Sequence, residues 1–289
     1  MTSPDAIPQP EAEDVTFQGS GVRLAADRWY CTRPHGTVIL LHGGGQTRHS
    51  WHRAGPRLAA AGWNAVSVDQ RGHGDSEWAP GQDYSIDAME EDLLAVIDQV
   101  GGPPPVLVGA SMGGSVSLLT TSNHPDLVRA LVLVDIVPRI EPAGVARITG
   151  FMRGHPDGFA NLDEVAAAVH AYNPHRSRPA TPDGLRKNVR QHEDGRWYWH
   201  WDPAFLSGGT EPRRGVPRGR MLNAARNITV PTLLVRGKQS DIVSDEGVRE
   251  LLELVPGARY VDISGAGHMV AGDDNDVFSS AVLDFLTEL

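Results

Sequence analysis

Short runs of consecutive apolar residues recur along this chain, separated by stretches in which apolar positions return every three or four residues. Thr37–Leu41 is such a run, and residues 64–69, 106–110, 130–135, 229–236 and 259–263 repeat it. A strand with no polar face is one covered on both sides, as in a parallel sheet. Upstream, residues 15–18 and 23–30 alternate apolar and polar positions around Gly19-Ser20-Gly21, which predicts two strands joined by a turn. Ile86, Met89, Leu93, Leu94 and Ile97 mark the apolar face of one helix, and Phe278, Ala281, Val282, Phe285 and Leu286 that of another. Strands alternating with helices require crossover connections, so the predicted class is α/β, a mostly parallel central sheet flanked by helices.

One region interrupts the alternation. Between Asp135 and Thr229 there is no convincing buried strand, only helical patches, many prolines and a Trp cluster. That is too long for a strand-to-helix loop of about 2–6 residues. The expected organisation is a solvated lead-in over 1–14, a core domain over 15–138 and 228–289, and a mainly helical cap over 139–227, inserted after the sixth strand.

Composition narrows the class of partner. The formal charge of −10 argues against a nucleic-acid groove, which needs clustered Lys and Arg. No apolar run approaches the roughly 18 residues of a membrane helix, and residues 1–14 carry no signal-peptide pattern. The single cysteine, Cys31, cannot form an internal disulfide and fits a reducing compartment, so the expected setting is cytoplasmic. The expected partner is a small-molecule substrate, for a monomer or homodimer. Gly (32) and Pro (21) are abundant, and several glycines fall at the segments that carry chemistry.

The sharpest of these segments is Val106-Leu107-Val108-Gly109-Ala110-Ser111-Met112-Gly113-Gly114, a G-x-S-x-G run with an apolar strand before it and a helix after it. Lifting a serine hydroxyl clear of a sheet needs a turn so sharp that the positions two either side carry no bulky side chain; Gly109 and Gly113 meet that demand. A second glycine-rich turn, His42-Gly43-Gly44-Gly45, follows the third strand, where a backbone N–H can face a substrate unobstructed. It has neither the spacing nor the lysine of a phosphate-binding P-loop. A serine needs a base and a group that orients the base. Beyond Ser111 the candidates are Asp241, just past the apolar run at 231–235, and His268, just past the run at 259–263; both lie at strand carboxyl ends, where open α/β sheets build their sites.

Together these segments, with Asp69-Gln70-Arg71-Gly72-His73-Gly74-Asp75-Ser76 after the fourth strand, resemble the α/β-hydrolase superfamily in content and order over nearly the whole chain. The resemblance implies the α/β-hydrolase fold, Ser111 as nucleophile, His268 as general acid/base, Asp241 as orienting carboxylate and the N–H groups of Gly44 and Met112 as oxyanion hole, with no cofactor and no metal. Asp135 also closes a strand and stands as the rival carboxylate, since some members of the superfamily place it there; Asp241 is preferred for its loop. His42 and His73 are expected to bond the backbone of their own loops, and Arg71 to tie loops together. Haloalkane dehalogenases and epoxide hydrolases resemble the chain elsewhere but carry aspartate where Ser111 stands.

The implied reaction is hydrolysis of a carboxylic ester or lactone through an acyl-enzyme. A carbon–carbon hydrolase of ring-opened aromatic diketones is the alternative with the same triad, and a non-catalytic small-molecule receptor is the alternative from another class. Trp197, Trp199 and Trp201 alternate, so in an extended segment their indoles share one face. They are expected either to form an apolar substrate wall or to pack the cap onto the core. Arg213, Arg214, Arg218 and Arg220 form a local basic patch in the same region.

Overall fold

The computed structural model describes residues 10–173, 181–207, 216–264, 267–268 and 276–289. Its strands are β1 (Glu13–Gln18), β2 (Arg23–Trp29), β3 (Thr37–Leu41), β4 (Asn64–Val68), β5 (Val106–Ala110), β6 (Ala130–Val134), β7 (Val189–Gln191), β8 (Trp197–Trp199), β9 (Thr232–Gly237) and β10 (Arg259–Ile263). Eight of them form one sheet in the order β1-β2-β4-β3-β5-β6-β9-β10. β1 and β2 pair antiparallel, as do β2 and β4; every other neighbour in the sheet is parallel.

The helices are α1 (Ala54–Ala60), α2 (Ile86–Val100), α3 (Met112–Asn123), α4 (Pro142–Arg153), α5 (Leu162–Tyr172), α6 (Pro182–Leu185), α7 (Ala204–Ser207), α8 (Arg218–Arg226), α9 (Asp245–Leu254) and α10 (Asp276–Leu286). No helix among the described residues is long and apolar enough to cross a membrane.

The apolar runs of β3, β5 and β6 are buried at every position because each strand feeds two cores. Successive side chains point to opposite faces. Ile39, Leu41, Leu107, Leu131 and Leu133 therefore pack with Leu93 and Val96 of α2 and Val116 and Leu119 of α3. Val38, Leu40, Val106, Val108, Val132 and Val134 pack with Leu58 of α1 and Phe278, Val282 and Phe285 of α10. Each such side chain contributes about 1.5–3 kcal/mol on burial, so a polar substitution anywhere in these runs damages a core. Local signals set the helix ends: the Ser85 hydroxyl accepts the Ala88 N–H at the start of α2, and Gly101 closes that helix at φ 66°.

Residues between β6 and β9 carry α4–α8 and the antiparallel β7–β8 hairpin, so this insertion is helical with one short ribbon, a feature the apolar pattern did not predict. Three-residue strands, part-buried, leave too few alternations to register as a period. The hairpin and α5 share a small core of Phe159, Val165, Leu185 and Val189. Met152, Trp201, Phe205 and Met221 of the insertion join the larger core beneath.

All six strands from β3 onward that lie in the main sheet run parallel, so their carboxyl ends share one edge. His42, Asp69, Ser111, Asp135 and the 238–241 loop all follow strands at that edge. A buried charge network braces it. The Arg48 guanidinium bonds Asp27 at 2.7 Å, Asp69 at 2.5 Å and Asp75 at 2.7 Å. Burial works against the Arg48 charge, but Asp69 and Asp27 outweigh it and raise its pKa above the ordinary value. Arg71 forks onto Asp92 at 2.6 and 2.8 Å and reaches the carbonyls of Ser20 and Asp83, tying loops as expected. Removing one partner of a buried ion pair costs about 3–5 kcal/mol, because the other charge stays buried. Arg48→Met is accordingly expected to lower unfolding stability by about that amount, read as a shift of the denaturant midpoint.

Candidate active site

Ser111 sits between β5 and α3 with φ 47° and ψ −109°, a conformation that costs a non-glycine residue about 1–3 kcal/mol. Neighbouring backbone holds it there: the Ser111 N–H donates to Val134 O at 3.0 Å and the Gly113 N–H to His42 O at 3.2 Å. The two glycines are sterically required. A Cβ at Gly109 would lie 2.4 Å from Gly113 O, and one at Gly113 would lie 2.5 Å from Leu41 O.

The Ser111 hydroxyl is 3.1 Å from His268 Nε2, and His268 Nδ1 is 2.6 Å from Asp135 Oδ2. With a carboxylate on Nδ1, the ring proton belongs on that nitrogen, which leaves Nε2 as the acceptor facing Ser111. Asp135 is fully buried, adopts φ 50°, and accepts two further bonds, from the Gly237 N–H at 3.1 Å and the Ser240 hydroxyl at 2.5 Å.

The carboxylate on His268 is thus Asp135, and the preference for Asp241 is corrected. Asp241 Oδ2 accepts from Arg147 Nε of α4 at 2.6 Å, and its side chain is about one-third exposed. Partial burial pushes the Asp241 pKa up, and the bond and charge of Arg147 more than offset this, holding it below the ordinary value. Arg147 also lies over the Tyr172 ring, 4.7 Å from its centroid, and donates to Tyr172 O. The reason for the difference lies in the sheet order: β6 is the immediate neighbour of β5, so its carboxyl end lies beside Ser111. The 237–241 loop brings Gly237 and Ser240 to Asp135 as donors, while its own acid turns to the insertion.

Gly44 and Met112 both line the cavity that opens at Ser111. The turn carrying Gly44 is held by its neighbours. The Gln70 N–H donates to His42 Nε2 at 3.0 Å, so the His42 proton lies on Nδ1, which donates to Gly43 O at 2.8 Å. The Gly45 N–H donates to His73 Nε2 at 3.1 Å, and His73 Nδ1 is 3.0 Å from Arg71 O. Burial pushes the His42 pKa below its ordinary value despite the charge of Asp69. Both imidazoles bond backbone, as their loops suggested.

The cavity has a volume of about 300 Å³. Ile86, Ile136 and Ile242 line it from the core, and Ile140, Val145, Ile148, Phe151, Met152 and Leu206 from the insertion. Arg153 and His268 are the basic groups on the wall, and no carboxylate lines it among the described residues. The residues of α4 escaped the sequence reading, although Val145, Ile148, Thr149 and Met152 recur at the spacing of one helix face.

None of the three indoles lines this cavity, so the substrate wall is corrected in favour of packing. Trp199 stacks on Trp201 with centroids 5.0 Å apart and meets Phe159 edge-on at 5.0 Å; Trp197 packs against the small core of the insertion under Arg186. Phe151, 5.4 Å from Trp199, stands on the cavity side of the cluster. Of the basic patch, Arg218 bonds Glu250 and Arg220 bonds Asp87, while Arg213 and Arg214 lie outside the described residues.

Comparison with known proteins agrees with this architecture. The chain is 31% identical over 276 residues to esterase Rv0045c of Mycobacterium tuberculosis, covering 92% of this chain and 86% of that protein. A crystal structure of that esterase superposes with a TM-score of 0.77 at 29% identity, covering 97% of this chain and 93% of the other. The mouse sn-1-specific diacylglycerol lipase ABHD11 is 29% identical over 86% of this chain and 80% of its own. An α/β hydrolase from Novosphingobium aromaticivorans shares the fold with a TM-score of 0.82 at 24% identity, over 98% of this chain and all of that one. The alpha/beta hydrolase fold family matches residues 36–274, and the chain belongs to that family.

Proposed function

We propose that the protein is a serine hydrolase of carboxylic esters, lactones included, with a small apolar acyl group and an acyl-enzyme on Ser111. The observation that carries the reading is the hydrogen-bonded chain Ser111–His268–Asp135, placed at a strained strand-to-helix turn and opening into an apolar cavity. A free serine hydroxyl is a weak nucleophile at neutral pH; an acceptor imidazole at 3.1 Å and a buried carboxylate behind it supply what attack requires.

Ser111 Oγ attacks the substrate carbonyl as its proton passes to His268 Nε2. The negative charge that forms on the carbonyl oxygen is met by the N–H groups of Gly44 and Met112. His268 then returns the proton to the departing alkoxide, and the acyl group stays on Ser111. Water follows the same route: His268 takes its proton, the hydroxide attacks the ester, and Ser111 recovers its hydrogen as the acid leaves. Asp135 keeps Nδ1 protonated and offsets the imidazolium charge throughout, held in turn by Gly237 and Ser240.

The insertion serves as a cap that shapes the acyl pocket. Its volume lies at the small end of the range of about 300–1,000 Å³ usual for ligand sites, and its wall is mostly apolar. Similarity to a mycobacterial esterase over nine-tenths of the chain supports ester chemistry.

Ser111→Ala is expected to cut turnover of p-nitrophenyl butyrate to below about a thousandth of wild type while leaving the circular dichroism spectrum unchanged; residual activity above that level counts against the acyl-enzyme. Asp135→Asn removes the group that fixes the His268 tautomer and should lower kcat by about 10⁴-fold, whereas Asp241→Asn should stay within about fivefold, both read from steady-state kinetics. In a panel of p-nitrophenyl esters, butyrate should exceed laurate in kcat/KM by about tenfold or more, given the cavity size. A ring-opened dienoic diketone, followed by loss of its absorbance in the same panel, distinguishes carbon–carbon cleavage and should turn over far more slowly.

A further inference from the structure

The Trp cluster of the insertion sends one polar side chain down into the core. His200 is 2% exposed, with its ring between His73, at 5.9 Å, and Trp201, which meets it edge-on at 5.2 Å. Its Nδ1 accepts the Gly74 N–H at 2.7 Å, which places the ring proton on Nε2, and Nε2 lies 3.4 Å from Gly45 O. Only the neutral imidazole can make both bonds. Burial, the nearby His42 and Arg190 hold the His200 pKa down at about 3, so the neutral form persists at ordinary pH.

Gly45 belongs to the turn proposed above to supply an oxyanion donor. The core holds two of that turn's polar atoms, Gly43 O and the Gly45 N–H. His42 Nδ1 and the Gln46 N–H both donate to Gly43 O, at 2.8 and 3.1 Å, and the Gly45 N–H donates to His73. In a trans peptide the N–H and C=O point in opposite directions. Anchoring Gly43 O therefore orients the Gly44 N–H, anchoring the Gly45 N–H orients Gly44 O, and anchoring Gly45 O orients the Gln46 N–H. That last anchor comes from the insertion, and at 3.4 Å it is the longest of the set, so it depends most on how the insertion is seated.

We propose that His200 is a positioning residue through which seating of the insertion sets the oxyanion turn: the bond from His200 Nε2 to Gly45 O completes the clamp that points the Gly44 N–H at the substrate carbonyl. The inference rests on the ester-hydrolase reading. Arg190 of β7 provides an internal control. It too ties the insertion to the 74–75 loop, donating to Gly74 O at 3.0 Å and Asp75 Oδ1 at 2.6 Å, but no bond to Gly45 is among its contacts.

The test compares His200→Asn, which keeps an acceptor for Gly74 but loses the donor to Gly45, with His200→Gln, which keeps the donor, and with Arg190→Gln. Readouts are kcat and KM for p-nitrophenyl butyrate, the inhibition constant of an alkyl trifluoromethyl ketone, whose Ser111 adduct carries the oxyanion, and the thermal midpoint. Loss of alignment of one oxyanion donor should lower kcat of His200→Asn by about 10- to 100-fold, with KM within about threefold and ketone affinity weakened in parallel. His200→Gln should stay near wild type in kcat, and Arg190→Gln should lose thermal stability alone. Wild-type kcat and ketone affinity in His200→Asn overturn the proposal, as does an equal loss in all three variants expressed through KM. If His200→Asn does not fold, a large kcat loss in a folded His200→Gln overturns it, and retained kcat there beside a destabilised Arg190→Gln supports it. Turnover that survives Ser111→Ala would instead overturn the underlying reading of a serine hydrolase with an acyl-enzyme on Ser111.

Discussion

A backbone contact governs the rest of this molecule: the close approach of Gly109 and Gly113 around Ser111. The chain leaves β5 and enters α3 within one residue, and that residue takes an unfavourable φ of 47°. Such a turn exists only if the sheet and helix over-determine it, and here they do. Val134 of the neighbouring strand accepts the Ser111 N–H, His42 accepts that of Gly113, and Leu41 O stands where any Gly113 side chain would go. The parallel order of β3, β5 and β6 therefore does more than bury leucines and valines. It brings three loop-bearing strand ends to the back of one serine.

The electrostatics of the site follow from that order. A carboxylate on the strand beside β5 reaches His268 without a long loop, and Asp135 occupies that place, buried and hydrogen-bonded three times. Burying a carboxylate is tolerated when its oxygens are satisfied and an imidazole faces it. Asp241, one strand further out, faces a guanidinium from α4 and so joins the insertion to the core. Asp135 takes the place that the loop of Asp241 suggested for Asp241, because Ser240, not Asp241, turns inward.

The insertion is joined to the core by apolar packing and by polar ties of different character. Met152, Trp201 and Phe205 extend the main hydrophobic core upward, while Arg147, Arg190 and His200 reach specific carboxylates and backbone groups below. Non-directional packing allows an approximate fit; hydrogen bonds to peptide groups specify a register. The stacked indoles of Trp199 and Trp201 are a stiff base between these ties, and the aliphatic face of α4 completes the cavity above Ser111.

Local chemistry made much of this legible beforehand. Apolar runs identified the strands, although 259–263 is an edge strand in which only Ile263 is buried; three- and four-residue spacing identified α2 and α10, and the glycines flanking Ser111 identified the sharp turn, because each signal is a short-range consequence of sterics and burial. The same holds for His42 and His73, whose glycine-rich neighbours leave backbone groups to be bonded. The choice between Asp135 and Asp241 was not legible, since both follow strands and differ only in which strand lies beside β5. Nor was the placement of Trp197, Trp199 and Trp201: alternation determines that neighbouring indoles share a face, but not what that face meets. His200 shows the limit most clearly. Its position in the chain marks it as opposite in sense to the tryptophans, yet its partners, Gly45 and Gly74, lie more than a hundred residues away. The sequence by itself determined the elements and the residues able to do chemistry, because those depend on nearest neighbours; the tertiary structure alone decided which of those residues meet, because that depends on strand order and on the seating of a separate segment.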